Sequence, residues 1–119
     1  MEAADLVDGF FEQHSTPNPS ERARILDTVI TDTAEFHALQ MDLVGREEIQ
    51  AGPVGTSRLV RTSRVQQRGR WLRWEWEYRM PDGEPERAPD GSRYGGTGIG
   101  LLADDGRLKL VVPFLGTRP

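Results

Sequence analysis

The chain has 119 residues, 36% hydrophobic content, a formal net charge of −4 and no cysteine, so it reads as one domain, 1–119, burying roughly two-thirds of its unfolded surface around a single core. Without cysteine there are no disulfides, thiolate nucleophiles or cysteine-held metals, and His14 and His37 stand too far apart to suggest a metal centre, so neither metal nor cofactor is expected. No apolar run approaches the about 20 residues of a membrane helix, and the first residues, Met1-Glu2-Ala3-Ala4-Asp5, are acidic where a secretion signal is basic; the expectation is a soluble, cytoplasmic protein with no membrane partner.

Leu6, Val7, Phe10, Phe11 and His14 recur at helical spacing and predict an amphipathic helix over 3–14, with Asp5, Asp8 and Glu12 on its wet face. Thr16-Pro17-Asn18 interrupts it. Asn18-Pro19-Ser20-Glu21 then reads as a second helix start, with Asn18 as N-cap and Pro19 at the first helical position, and Ile25, Leu26, Val29 and Ile30 as its buried stripe. Thr31-Asp32 ends that helix. A short strand over 34–39 leads through Val44-Gly45 to a third helical turn, 46–51, which Gly52-Pro53 cuts off.

After residue 57 the period changes from 3.6 to 2, and the clearest instance is Leu72, Trp74, Trp76, Tyr78 and Met80 alternating with Arg73, Glu75, Glu77 and Arg79. A strand with five large apolar side chains on one face must cover that face, and the three early helices are the available cover. A preceding strand is expected over 58–68, and two later ones over 94–102 and 108–115, joined at an Asp105-Gly106 turn. The segment 81–92, acidic and proline-rich, reads as a loop that acts as a lid or is simply mobile. Helices first and a strand meander after predict an α+β fold, with the helices packed on a curved antiparallel sheet.

Charge is segregated. Residues 1–48 carry eleven acids against three arginines, whereas 49–74 carry six arginines and no acid. Arg58, Arg61, Arg64, Arg68, Arg70 and Arg73, beside Trp71 and Trp74, have the composition of a nucleic-acid footprint. They equally suit solvent-facing strand positions neutralised by Glu75 and Glu77, or recognition of a small anion, and a nucleic-acid partner is not expected.

Four segments in order, Val7-Asp8-Gly9-Phe10-Phe11-Glu12, Thr31-Asp32-Thr33-Ala34-Glu35-Phe36-His37, Leu43-Val44-Gly45-Arg46-Glu47-Glu48-Ile49 and Leu102-Ala103-Asp104-Asp105-Gly106-Arg107-Leu108, flank the tryptophan-rich strand. In these the chain resembles the SnoaL-like branch of the nuclear transport factor 2-like superfamily. The resemblance implies a strongly curved sheet wrapped around helices to leave a conical pocket, although the third helix is shorter here than is usual for the family. It also implies several functions, since isomerases, cyclases, hydrolases, dehydratases and non-catalytic domains share the fold. Ketosteroid isomerase-like members carry a general-base carboxylate on the first strand, and the matching position is His37, an imidazole able to accept a proton near neutral pH with Glu35 to orient it. The family's oxyanion donors match Phe10 and Gly98, which have no side-chain donor, so that isomerase mechanism does not carry over intact.

Within such a cone, Phe10, Trp74, Trp76, Tyr78, Val111, Pro113 and Leu115 are expected as walls, with the Tyr78 phenol available to a ligand oxygen. His14, on the stripe of Phe10, either approaches the pocket floor or serves the helix C-terminal dipole. Gly98 and Gly100 either leave empty volume for a ligand or allow sharp sheet curvature. Ile99, Leu101, Leu110 and Val112 on the other sheet face leave apolar surface that suggests a homodimer. Two functions remain open: an acid/base enzyme acting on a hydrophobic small molecule through His37 and Glu35, and a non-catalytic ligand-binding or dimerisation module of the same fold.

Overall fold

The computed structural model describes residues 1–118. Helices α1 (Ala3–His14) and α2 (Pro19–Val29) come first; α2 passes without a loop into β1 (Ile30–His37), followed by β2 (Asp42–Val44) and the five-residue α3 (Arg46–Gln50). The remainder is strand: β3 (Arg58–Arg61), β4 (Gln66–Arg68), β5 (Trp71–Arg79), β6 (Arg93–Leu102) and β7 (Leu108–Arg118). Asn18 caps α2 as its sequence predicts, its side chain accepting from the Glu21 amide at 3.0 Å. Where a single strand was expected over 58–68 there are two, because Thr62–Val65 leave the ladder and Ser63 Oγ accepts the Glu75 amide. Among the described residues no helix is long and apolar enough to cross a membrane.

The strands form one sheet in the order β2-β1-β7-β6-β5-β3, with β4 also paired to β5. The expected antiparallel sheet is in fact mixed, since β1 pairs β7 in parallel, Phe36 opposite Val111. It curls into a half-barrel around the helices. Period-2 alternation gives the two faces opposite roles. Leu72, Trp74 and Trp76 point inward, each at 1% exposure, against Leu6, Val7, Phe10 and Phe11 of α1 and Ile25, Leu26 and Val29 of α2. Helices α1 and α2 cross closely at Gly9, where a β-carbon would come within 2.9 Å of Val29 Cγ1.

Register places Trp74 opposite Gly98 and Leu72 opposite Gly100. The volume these glycines leave is filled by the protein itself: a β-carbon on Gly98 would lie 2.3 Å from Cε2 of Trp74, and one on Gly100 would lie 3.1 Å from Cζ3 of the same ring. Gly98, Gly100 and Trp74 are therefore core rather than pocket wall, a correction to the expectation from sequence. The edge of Phe11 closes on the same indole at a centroid distance of 6.1 Å.

Residues 80–92 form an arm of two small turns. Met80 N donates to Glu84 O at 2.8 Å and Ala88 N to Ser92 O at 2.8 Å. Between the turns Glu86 is tied to both neighbouring strands, its amide donating to Tyr78 O and its carbonyl accepting from Tyr94 N, both at 3.0 Å.

Gly98→Ala inserts a methyl group into the Trp74 indole and is expected to destabilise the protein by about 1–3 kcal/mol, read from denaturant midpoints. Gly116→Ala, on a neighbouring strand without a positive φ and with its nearest contact at 3.9 Å, is the control for adding a methyl group to the sheet, and a loss at Gly98 no larger than at Gly116 would contradict the packing argument.

Candidate functional site

The inner face of the half-barrel is not filled along its whole length. Beyond Trp76, toward the ends of β5 and β7, it encloses a cavity of about 490 Å³. Trp76 and Tyr78 of β5 with Leu59 of β3 form one wall, and Tyr94 of β6 with Pro113 and Leu115 of β7 form another. The β1–β2 turn, from Ala38 to Met41, and Glu86 of the arm complete the rim, while Phe36 and His14 line the side toward the helices. Phe36 and His14 also border a small space of about 10 Å³ shared with Phe10, Gln13 and Arg22. A larger hollow of about 630 Å³ lies between α2 and α3, lined by Arg22, Asp32, Arg46 and Glu47; Arg46 there is engaged by Asp27 and the Ala23 carbonyl.

His14 ends α1, and neither ring nitrogen makes a hydrogen bond within the described residues. Burial, and then the positive charge of Arg22, hold its pKa below the usual imidazole value, so near pH 7 the ring is neutral and able to accept a proton. Across the cavity, burial and then Glu86 push the Tyr78 phenol up, which keeps it protonated and a donor. Tyr78 meets Trp76 edge-on at a centroid distance of 5.1 Å. The Trp76 indole N–H is buried without an acceptor, and Glu86 accepts from Ser57 Oγ at 2.7 Å.

His37 and Glu35 lie elsewhere. Along β1 the inward residues are Ala34 and Phe36, buried to 2% and 6% exposure, so Glu35 and His37 point to the outer face. His37 Nδ1 lies 2.7 Å from Asp42 and Nε2 2.9 Å from Glu35, so Glu35 does meet the imidazole as the sequence suggests, but at the sheet surface and outside the cavity. The hydrogen bond to Asp42, followed by that to Glu35, raises the His37 pKa. With both ring nitrogens held by carboxylates, His37 has no free site for a substrate proton. No group of three or more His, Asp or Glu side chains among the described residues is placed to hold a metal ion.

Of the other residues singled out in the sequence, His14, Trp76, Tyr78, Pro113 and Leu115 line the cavity. Phe10 touches only the small space behind it, and Val111, at 2% exposure, is core. Sequence reasoning missed Leu39, Met41, Leu59, Glu86 and Tyr94. For Phe36 the signal was present, since an apolar residue between Glu35 and His37 claims the inward position on an alternating strand. For Glu86 there was none, because its direction is set by the two backbone bonds that hold the arm.

Comparison with known proteins bears on this geometry. No family model matches the chain, and no curated protein does. Solved structures do match. A candidate isomerase of the SnoaL-like family from Agrobacterium tumefaciens superposes with a TM-score of 0.76 at 20% identity, covering 93% of this chain and 94% of that one. An NTF2-like protein of unknown function from Cytophaga hutchinsonii superposes at 0.62 with 12% identity, covering 100% and 92%. SalBIII, an epoxide hydrolase/cyclase-like enzyme with a role in pyran ring formation in the polyether salinomycin, superposes at 0.61 with 13% identity, covering 95% and 89%. The chain has the SnoaL-like, NTF2-like fold: helices packed within a strongly curled sheet.

The two histidines should titrate on opposite sides of the unperturbed value of about 6.5, His37 above it and His14 below it. The contribution of His37 to stability is then fully present below about pH 6.5 and is lost as pH rises through its raised folded value. His14 acts in the other direction, costing stability as pH falls through about 6.5. Imidazole resonances followed by NMR from pH 5 to 9 test this, and a reversed order would remove the basis for treating His14 as the neutral partner.

Proposed function

We propose that the protein is a cofactor-independent acid/base enzyme that acts on a hydrophobic small molecule in the cavity beside His14, with chemistry of the isomerase, cyclase or dehydratase kind. The observation that carries this reading is a neutral, partly buried imidazole without a hydrogen-bond partner at the wall of an otherwise largely apolar cavity of about 490 Å³. A base in that setting is neither neutralised by a protein carboxylate nor spent on a structural bond. In the proposed cycle His14 takes a proton from the substrate and the resulting imidazolium returns it at a second position, so no external acid is consumed. The Tyr78 phenol supplies a donor for substrate oxygen. The candidate isomerase and the epoxide hydrolase/cyclase-like enzyme among the structural neighbours support the class of chemistry.

Exchange of the α-hydrogens of 2-tetralone in deuterium oxide, followed by NMR, reads proton abstraction directly. The protein should accelerate exchange, His14→Gln should lower the rate by about 10²–10⁴-fold with little change in melting temperature, and His37→Gln should leave it unchanged. Uncatalysed exchange, or a His14→Gln protein as active as the parent, would instead favour a binding module.

We also propose that two copies associate through the outer sheet face. There Trp71, Leu101 and Leu110 align across three strands, with Ile99 opposite Val112 and Phe114 opposite Thr97. Trp71 and Phe114 are 52% and 60% exposed, an apolar stripe that a second copy of the same face would cover. Light scattering should give twice the mass of the 119-residue chain, and Val112→Arg should give a monomer; a monomeric parent protein would end this proposal without touching the cavity.

A further inference from the structure

Arg22 is a buried cation without an anionic partner. It stands on α2 at 5% exposure. Its Nε donates to Gln13 Oε1 at 2.8 Å, Nη1 to the Gly52 carbonyl at 2.8 Å and Nη2 to the Ile49 carbonyl at 3.2 Å. All three acceptors are neutral, and no carboxylate pairs with Arg22 among the described residues. The two carbonyls belong to the C-terminal end of α3, whose dipole offsets part of the charge, but a short helix does not replace a counter-ion for a buried guanidinium. Three of the five guanidinium N–H donors are used, leaving two.

Arg22 lines the hollow between α2 and α3, whose acids Asp32 and Glu47 form no ion pair with it among the described residues, and it also lines a second space, shared with His14. Arg22 borders the space of about 10 Å³ that it shares with His14, Phe36 and Met41, and those three residues also line the main cavity. No acidic side chain borders that space. Glu86, the acid in the main lining, is held by Ser57. The charge of Arg22 already reaches His14, since it is one of the two causes of that imidazole's lowered proton affinity.

We infer that Arg22 makes the His14 end of the cavity a recognition site for an anion, so that the ligand is an apolar molecule bearing a carboxylate that seats against His14 with Arg22 behind it. The space between is about the volume of one water probe, and one water carries the contact between guanidinium and carboxylate. The apolar body of the ligand lies along Trp76, Leu59 and Leu115. This inference rests on the cavity being a ligand site, as proposed above, and narrows the class of ligand.

Calorimetric titration with 2-naphthoate, 2-naphthamide and 2-naphthylmethanol compares one apolar body with and without the charge. In the parent protein the carboxylate should bind about tenfold tighter than either neutral compound. The preference should vanish in Arg22→Met and persist in Arg22→Lys, which keeps the charge and loses the fork, whereas a purely structural arginine would change all three affinities together. Equal or tighter binding of the neutral compounds to the parent overturns the inference and leaves the cavity reading intact. A preference that survives Arg22→Met also overturns it, by placing the anion elsewhere, and failure of all three compounds to bind removes the ligand cavity as well. Should Arg22→Met not fold, the Arg22 Nε–H resonance of the parent protein decides: it should shift with 2-naphthoate and stay fixed with 2-naphthamide, and an unmoved resonance with the carboxylate overturns the inference.

Discussion

The contact between the Trp74 indole and the glycines of β6 governs where this molecule is solid and where it is hollow. A ring of that size on the concave side of a sheet can lie against a neighbouring strand only if that strand carries no side chain there, and Gly98 and Gly100 meet the condition. With Phe11 of α1 against the same ring, the sheet is held to the helices at one end. The next inward residue, Trp76, also meets Phe11, at 6.4 Å, but its other side faces open volume. On β5 the cavity therefore begins one strand repeat beyond Trp74, whereas on β7 it reaches back to Pro113, level with Gly98, and on β1 to Phe36.

The two faces of the sheet separate the two histidines. His14 lies on the concave side, where burial and a neighbouring cation disfavour the imidazolium. His37 lies on the convex side, where two carboxylates favour it. Identical side chains are thus shifted in opposite directions from the ordinary imidazole value by the side of the sheet they occupy. The arginines of 58–73 divide likewise by their neighbours, with Arg61 on Asp8, Arg70 on Asp104 and Arg73 on Glu75.

Much of the fold was legible in the sequence because it rests on local patterns: the α1 stripe, the Asn18 cap and the alternation of β5 are each contained in a few consecutive residues. The parallel pairing of β1 with β7 was not, since it joins segments about seventy-five residues apart and depends on how far the sheet curls. For the site, Trp76, Tyr78, Pro113 and Leu115 followed from strand parity. Applied to Ala34 and Phe36, the same parity turns His37 outward; resemblance pointed to the wrong face where the local pattern pointed to the right one. Arg22 could not be singled out, because an arginine on an amphipathic helix looks like any solvated charge until its partners are known to be neutral.

The arm over residues 80–92 carries a kinetic consequence. Its backbone is bonded internally at both turns and to β5 and β6 through Glu86, so this side of the cavity rim is a fixed frame rather than a door. Opening it would break main-chain bonds on both sides of Glu86, unlike the hinged loops that seal many enzyme sites. A ligand passing the arm would then do so by diffusion without waiting for the arm to open, and the arm would add no saturating step to the association rate. Discrimination among ligands on this side would fall to size and charge at the moment of entry.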